Sequence, residues 1–191
     1  MYDKNLHHRR SIRLRGYDYS RPGTYYVTIC AQDMLKLFGE IVEGEMKRNQ
    51  FGEIVQFCWN DLPHHYTGIE LDSFVVMPNH VHGIIVICEL AGPPDVGAGF
   101  KPAPTAGTDS ARAGFKPAPT TPKPLSEVVR GFKTFSARRI NEMRGTPGTP
   151  VWQRNYFERI VRNDGELNKI REYIHTNPLR AETDWENILG T

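Results

Sequence analysis

The sequence has little of what marks secreted, membrane-spanning or strongly charged proteins. Its three cysteines, Cys30, Cys58 and Cys88, are odd in number and far apart, which favours reduced core residues over a disulfide framework or a zinc site. No apolar run approaches the roughly 18 residues that a membrane span needs, and no apolar stretch of a signal peptide follows the basic N-terminus. We therefore expect a cytoplasmic globular protein, associated with the nucleoid if it binds DNA, with no membrane partner.

The net charge is only +2, because 24 Lys and Arg nearly balance 22 Asp and Glu, but the positive charge is concentrated. One cluster forms an N-terminal arm, one lies in a predicted helix after residue 125, and a third follows residue 150. Basic clusters interleaved with aromatic residues suit a phosphate backbone with stacked bases, although each cluster alone also suits a solvated helix face. The predicted DNA-binding residues are Arg9, Arg10, Arg13, Arg15, Arg130, Lys133, Arg138, Arg139 and Arg154.

Hydrophobic periodicity predicts an α+β domain with a central antiparallel β-sheet and flanking helices. In the helix predicted after residue 125, the buried side is expected to carry Val128, Val129, Phe132, Phe135 and Ile140. The predicted elements are a strand at 25–30 with a hairpin partner at 37–42, a helix at 50–65, strands at 69–77 and 79–87, a helix capped by Ser126 and running to about Met143, a strand at 151–161, and a helix capped by Asn163 and ended by Pro178.

Residues 91–124 differ in composition from the rest of the chain. The segment Ala-Gly-Phe-Lys-Pro-Ala-Pro-Thr occurs at 98–105 and again, unchanged, at 113–120. Such a Gly-, Pro- and Ala-rich segment buries too little to fold alone, so we predict a flexible insertion. The predicted organisation is a basic arm at 1–20, one domain built from 21–90 and 125–181, the insertion between its halves, and a tail at 182–191.

The sequence Met77-Pro78-Asn79-His80-Val81-His82 carries the first half of a candidate site. In an extended strand, side chains two residues apart share a face, so the two imidazoles can converge on one divalent cation. A strand end that happens to carry two histidines is the alternative interpretation.

The last predicted helix carries a candidate second half. Tyr173 and Asn177 are four residues apart and share a helical face. A phenol is a weak nucleophile at its usual pKa near 10, but it can attack a phosphate that a metal ion polarises. Asn177 could supply an amide oxygen as a third ligand, and mixed nitrogen and oxygen ligation favours Mn²⁺ or Mg²⁺ at weak affinity. Tyr66 and Tyr156 are rival nucleophiles, and Tyr173 could simply pack in the core.

Three ordered motifs together resemble the REP-associated tyrosine transposases, a group of single-tyrosine transposases in the HUH nuclease superfamily. The motifs are Met77–His82, Val151–Tyr156 and Arg171–Pro178. The resemblance implies a ferredoxin-like sheet and metal-assisted cleavage of single-stranded DNA at palindromic hairpin repeats. It also implies His80 and His82 as metal ligands and Tyr173 as the nucleophile that becomes joined to the 5′ phosphate. Asn177 departs from the glutamine of related transposases.

Three functions remain open from the sequence. The first is a DNA strand transferase that uses Tyr173, and the resemblance favours a monomer. The second is a catalytically silent hairpin-binding protein derived from a transposase. The third is a phosphodiesterase in which water attacks and Tyr173 only packs.

Overall fold

The strand Gly23–Cys30 (β1) is flanked on both sides by other strands and so lies inside the sheet. The structure is a computed structural model and describes residues 16–90 and 122–180; the predicted arm residues Arg9, Arg10, Arg13 and Arg15 and most of the insertion and tail lie outside that part. The elements are β1 (Gly23–Cys30), β2 (Gly39–Val42), β3 (Glu45–Arg48), α1 (Gln50–Asn60), α2 (Leu62–His65), β4 (Ile69–Val76), β5 (His80–Ile87), α3 (Leu125–Arg144), β6 (Phe157–Val161) and α4 (Asp164–Thr176), with 3₁₀ turns at Gln32–Met34 and Asn177–Arg180.

The main sheet has the strand order β4-β5-β1-β6, and every pair in it is antiparallel. The helix α1 follows β1 before β4, and α3 joins β5 to β6, so the core has the β-α-β-β-α-β order of a ferredoxin-like fold. The predicted α+β class with a central antiparallel sheet is confirmed.

Alternation along β1 divides the interior into two layers. Tyr25, Val27 and Ile29 belong to the larger cluster, which the first three helices cover. Tyr26 points the other way and packs with Ile84 and with Ile174 of α4. This second face also carries the polar side chains of Thr28, His80 and His82. Helix α4 covers it, so residues of α4 lie next to those side chains.

The predicted hairpin between residues 25–30 and 37–42 is wrong. Strand β2 pairs instead with β3 in a separate two-stranded sheet, with Gly39 opposite Arg48. The neighbours of β1 are β5 and β6. A tight turn at Glu43–Gly44, both with positive φ, closes the β2–β3 hairpin, and local turn geometry therefore decided the pairing.

The other elements differ from their predictions in four places, the first being that the single helix predicted at 50–65 is divided at Asp61 into α1 and α2. Ser126 does not cap α3, because the helix begins at Leu125 with Pro124 in the N-cap position. Phe135 is 41% exposed rather than buried. Only residues 157–161 of the predicted 151–161 strand pair continuously, and Trp152 makes an isolated bridge with Ala31. The Asn163 cap is confirmed, since its side chain accepts a hydrogen bond from the Glu166 amide.

No helix in the described ranges combines the length and the hydropathy needed to cross a bilayer. The three cysteines form no disulfide in that part of the chain.

Gly83 lies next to His82 on β5, where the Trp59 indole crosses the strand. A Cβ at this position would come within 2.5 Å of Cη2 of Trp59 and 2.9 Å of a ring carbon of Phe74, and those two rings are stacked at 4.3 Å. We expect Gly83→Ala to lower the free energy of unfolding by about 1–3 kcal/mol, because overpacking forces these side chains to shift. Urea denaturation measures the loss. The double variant Gly83→Ala/Trp59→Phe provides space and should recover part of it; an equal loss in the double variant would contradict this explanation.

Candidate active site

His80 and His82 lie side by side at the start of β5, and their side chains point to the same face of the sheet. Their Nε2 atoms are 2.9 Å apart, and the rings meet edge to face at 4.5 Å between centroids. His80 is opposite Cys30 of β1 and His82 is opposite Thr28. Strand alternation therefore produces the convergence that the H-x-H spacing predicts.

The other ring nitrogen of each histidine is held by a neighbouring polar group. Nδ1 of His80 lies 2.9 Å from the side-chain oxygen of Asn79, whose amide nitrogen donates to the Met34 carbonyl at 3.4 Å. Because an amide oxygen only accepts, His80 donates from Nδ1 and presents Nε2 with its lone pair. Nδ1 of His82 lies 2.7 Å from the Tyr26 hydroxyl and 2.8 Å from that of Thr28. Such partners orient the rings of metal-binding histidines.

Burial keeps both imidazoles neutral. His80 is 3% exposed and His82 is fully buried. Desolvation lowers the pKa of His80 to about 4, and desolvation together with the adjacent His80 lowers the pKa of His82 well below its ordinary value. Neutral imidazole is the protonation state that binds a metal ion.

Tyr173 reaches this pair from α4 in the same chain. Its hydroxyl oxygen is 3.5 Å from Nε2 of His82, and the two ring centroids are 5.2 Å apart. The Tyr173 ring also meets Tyr26 edge to face at 6.4 Å, and the side chain is half-buried. The structure thus brings the phenol and both imidazoles together, although 91 residues separate Tyr173 from His82.

An ion pair anchors α4 to the sheet two residues before Tyr173. The register of β4 shifts between Leu71 and Phe74, and such a bulge re-aims a side chain. Asp72 within the bulge accepts from Nε of Arg171 at 3.0 and 3.2 Å and from Nη2 at 2.5 Å. These hydrogen bonds from Arg171 hold the pKa of Asp72 at about 2.

We expect Asp72→Asn to cost about 1 kcal/mol of stability and to slow any reaction of Tyr173 about tenfold, because α4 loses its anchor. The pKa of Asp72 is lowered on folding, so its contribution is complete above its unfolded value, about 3.9, and disappears as the pH falls toward 2. Urea unfolding at pH 7 and pH 3 should therefore show a smaller difference in the free energy of unfolding between wild type and variant at pH 3.

The control is Glu142→Gln, which breaks the exposed Arg138–Glu142 pair and should cost less than about 0.5 kcal/mol of stability. An equal cost for both variants would contradict the anchoring role.

The spacing of the two imidazoles fits two adjacent positions of an octahedral coordination sphere. Two nitrogens that bind one ion at about 2.1 Å and at the 90° angle of an octahedron lie about 3 Å apart, which matches the observed 2.9 Å. No cluster of three His, Cys, Asp or Glu side chains suited to a metal occurs in the part of the chain that the structure describes. Asn177 is fully buried just after α4, and its role as a third ligand stays a prediction.

The predicted DNA-binding residues of the described ranges divide between two surfaces. Arg130, Lys133 and Arg154 line one groove. Arg139 lies over the Phe57 ring at 4.6 Å on another face, and Arg138 donates to Glu142 at 2.8 Å. Arg139 is therefore not part of the groove that Arg130, Lys133 and Arg154 line.

Sequence reasoning missed the side chains that orient the histidines. The sequence places Asn79 at the start of the predicted 79–87 strand and Tyr26 and Thr28 in the predicted 25–30 strand, but it predicts no hydrogen bond from their side chains to the imidazoles. The polar Thr28 two residues from Tyr26, on the same face of an otherwise apolar strand, is a signal in the sequence. The register that places Thr28 opposite His82 is not contained in any local pattern.

The chain is similar to known proteins in sequence and in fold. No protein-family model matches it. An uncharacterized protein of Haemophilus influenzae is 38% identical over 187 residues, which cover 96% of this chain and 95% of that protein. A solved structure of a REP-associated tyrosine transposase bound to a REP hairpin superposes with a TM-score of 0.53 at 16% identity, covering 88% of this chain and 73% of that one. A presumed transposase of Deinococcus radiodurans gives a TM-score of 0.43 at 18% identity, covering 85% and 95%, and is too distant to add to the argument.

Proposed function

Since this chain belongs to one family with the Haemophilus influenzae protein and has the fold of a REP-associated tyrosine transposase, we propose that it is a metal-dependent single-stranded DNA endonuclease and strand transferase. It acts at palindromic hairpins through a 5′-phosphotyrosine intermediate. The observation that carries the proposal is the Tyr173 hydroxyl 3.5 Å from a histidine nitrogen that lies 2.9 Å from a second one.

Tyr173 is the nucleophile in this reaction. Its phenolic oxygen forms a bond to the scissile phosphorus, the bond from phosphorus to the 3′ oxygen breaks, and the phenolic proton is lost while the 3′ oxygen gains one. One phosphodiester is replaced by another, so attack by a 3′ hydroxyl reverses the step and rejoins DNA without a nucleotide cofactor. Packing of the Tyr173 ring against Tyr26 and His82 restricts the motion of the hydroxyl before the reaction.

His80 and His82 would hold a divalent ion, Mn²⁺ or Mg²⁺, with Asn177 as a candidate third ligand. When bound, the ion supplies Lewis-acid polarisation of a phosphate oxygen. Asn79, Tyr26 and Thr28 hold the two rings at Nδ1, so that both Nε2 atoms are directed toward one point.

The hairpin partner is supported by the solved neighbour, which is bound to a REP hairpin. The distance of Tyr173 from His82 within one chain supports a site that a monomer completes by itself.

The experiment is incubation of the full chain with a hairpin that carries single-stranded flanks on both sides, with Mn²⁺ or Mg²⁺ present. We expect a cut strand and a protein–DNA adduct that resists denaturation, and peptide mass spectrometry should locate the adduct on Tyr173. Tight hairpin binding without a cut or an adduct in either metal would instead identify a catalytically silent binding protein.

A further inference from the structure

A groove outside the Tyr173 site runs between α3 and the segment at 148–156. Its volume is about 500 Å³, within the range of roughly 300–1,000 Å³ of pockets that take drug-sized ligands. One stripe of α3 forms the first wall, and Thr149, Trp152, Arg154 and Tyr156 contribute to the second.

Hydrogen bonds fasten the second wall to the rest of the domain. Nζ of Lys133 donates to the carbonyls of Gln153 and Arg154 at 2.5 and 2.9 Å. The Trp152 indole donates to Ser136 at 2.9 Å, and the Asn141 amide donates to a backbone carbonyl at 2.9 Å. The groove is therefore formed before any ligand enters, which lowers the entropic cost of binding.

The chemistry of the lining suits a nucleotide strand. Arg130, Lys133 and Arg154 are positively charged, and no carboxylate belongs to the lining. The Glu127 carboxylate, which is not part of the lining, lies 3.8 Å from Arg130. Tyr156 and the buried Trp152 supply aromatic surface between these charges. Flanking cations with an aromatic platform are the features that hold single-stranded nucleic acid.

The groove and the candidate active site lie on opposite faces of the sheet, and strands β1 and β6 connect them. Tyr156 immediately precedes Phe157, which pairs with Thr28 across β1 and β6. The Thr28 hydroxyl contacts His82 at 2.8 Å. Because β6 is the edge strand, a flexible strand of DNA can pass around it from the α3 side to the α4 side.

We infer that this groove binds the unpaired nucleotides that flank the hairpin, with phosphates at Arg130 and Arg154 and a base against Tyr156. The inference rests on the proposed function, since it supposes that the Tyr173 site acts on the same DNA strand.

The test measures binding of two oligonucleotides by fluorescence anisotropy at several salt concentrations, without added metal so that no cleavage occurs. One is the hairpin with single-stranded flanks and the other is the same hairpin without flanks. We expect Arg130→Gln and Arg154→Gln each to weaken binding of the flanked hairpin about 5-fold at 0.1 M salt and to reduce the slope of log K against log salt by about 0.7. Binding of the flankless hairpin should not change.

The matched control is Arg162→Gln, an exposed arginine just past the far end of β6 that removes the same charge. It should leave both affinities nearly unchanged. Equal losses for Arg162→Gln, or equal losses on both oligonucleotides, would overturn the inference. Equally strong competition by polyglutamate and by single-stranded DNA would also overturn it, because the groove would then respond only to charge.

Photocrosslinking gives a second measurement of position. With 5-iododeoxyuridine in the flank, we expect crosslinks to Tyr156 or Trp152, and crosslinks confined to other segments would overturn the inference.

The groove proposal and the proposal of cleavage by Tyr173 can fail independently of each other. Flank-dependent losses without any Tyr173 adduct would leave the groove and remove the chemistry, whereas an adduct with normal binding by the groove variants would do the reverse.

Discussion

Tyr173→Phe should abolish the covalent protein–DNA adduct and reduce strand cleavage by at least about 10³-fold. The substitution removes the hydroxyl that lies 3.5 Å from His82 and leaves the ring that packs edge to face on Tyr26 and His82. Hairpin affinity and thermal stability should therefore stay close to those of the wild type. Single-turnover cleavage of end-labelled DNA measures the rate, and a denaturing gel measures the adduct.

Tyr66→Phe is the matched control for this substitution. The sequence also offers Tyr66 as a nucleophile. Tyr66 follows α2, and its hydroxyl donates to the Glu127 carbonyl at 3.4 Å. Cleavage should persist in this variant. If Tyr173→Phe still cuts DNA at the wild-type rate and no other residue forms an adduct, water is the nucleophile and Tyr173 only packs.

Local patterns predicted those parts of the site that depend on a single strand. The shared face of His80 and His82 follows from the alternation of side chains in an extended chain, and the apolar runs on either side mark the strand. No spacing rule, however, connects Tyr173 with His82, and the sequence joins them only through the chemistry of a metal-polarised phosphate and through the resemblance to the transposase family.

The errors in the fold occur where a contact is distant in sequence or a local rule has a competitor. The neighbours of β1 come from residues 80–87 and 157–161, so the adjacent apolar segment at 37–42 was assigned as its partner incorrectly. Ser126 resembles a cap, but Leu125 is fully buried and belongs to the first turn of α3. Phe135 fits the apolar period, yet it lies at the surface against the His65 ring at 5.3 Å.

Replacement of either histidine should remove metal binding. We expect His80→Ala and His82→Gln each to weaken Mn²⁺ binding by at least about 100-fold and to reduce cleavage by at least about 10³-fold. The physical reason is that one imidazole cannot hold the ion against water when the other has gone. His82 is fully buried, so glutamine, which keeps most of the volume and a polar end, is chosen for that position. Calorimetric titration with Mn²⁺ measures affinity without any DNA.

His64→Ala is the control, since that exposed histidine pairs only with Asp61 at the end of α2 among the described residues. It should bind Mn²⁺ as the wild type does. A metal ion that binds the folded state also raises its stability according to ligand concentration, so Mn²⁺ should increase the melting temperature of wild type and His64→Ala but not of His80→Ala. An equal increase in all three proteins would place the ion elsewhere, and cleavage by His80→Ala at the wild-type rate would exclude the histidine pair as the metal site.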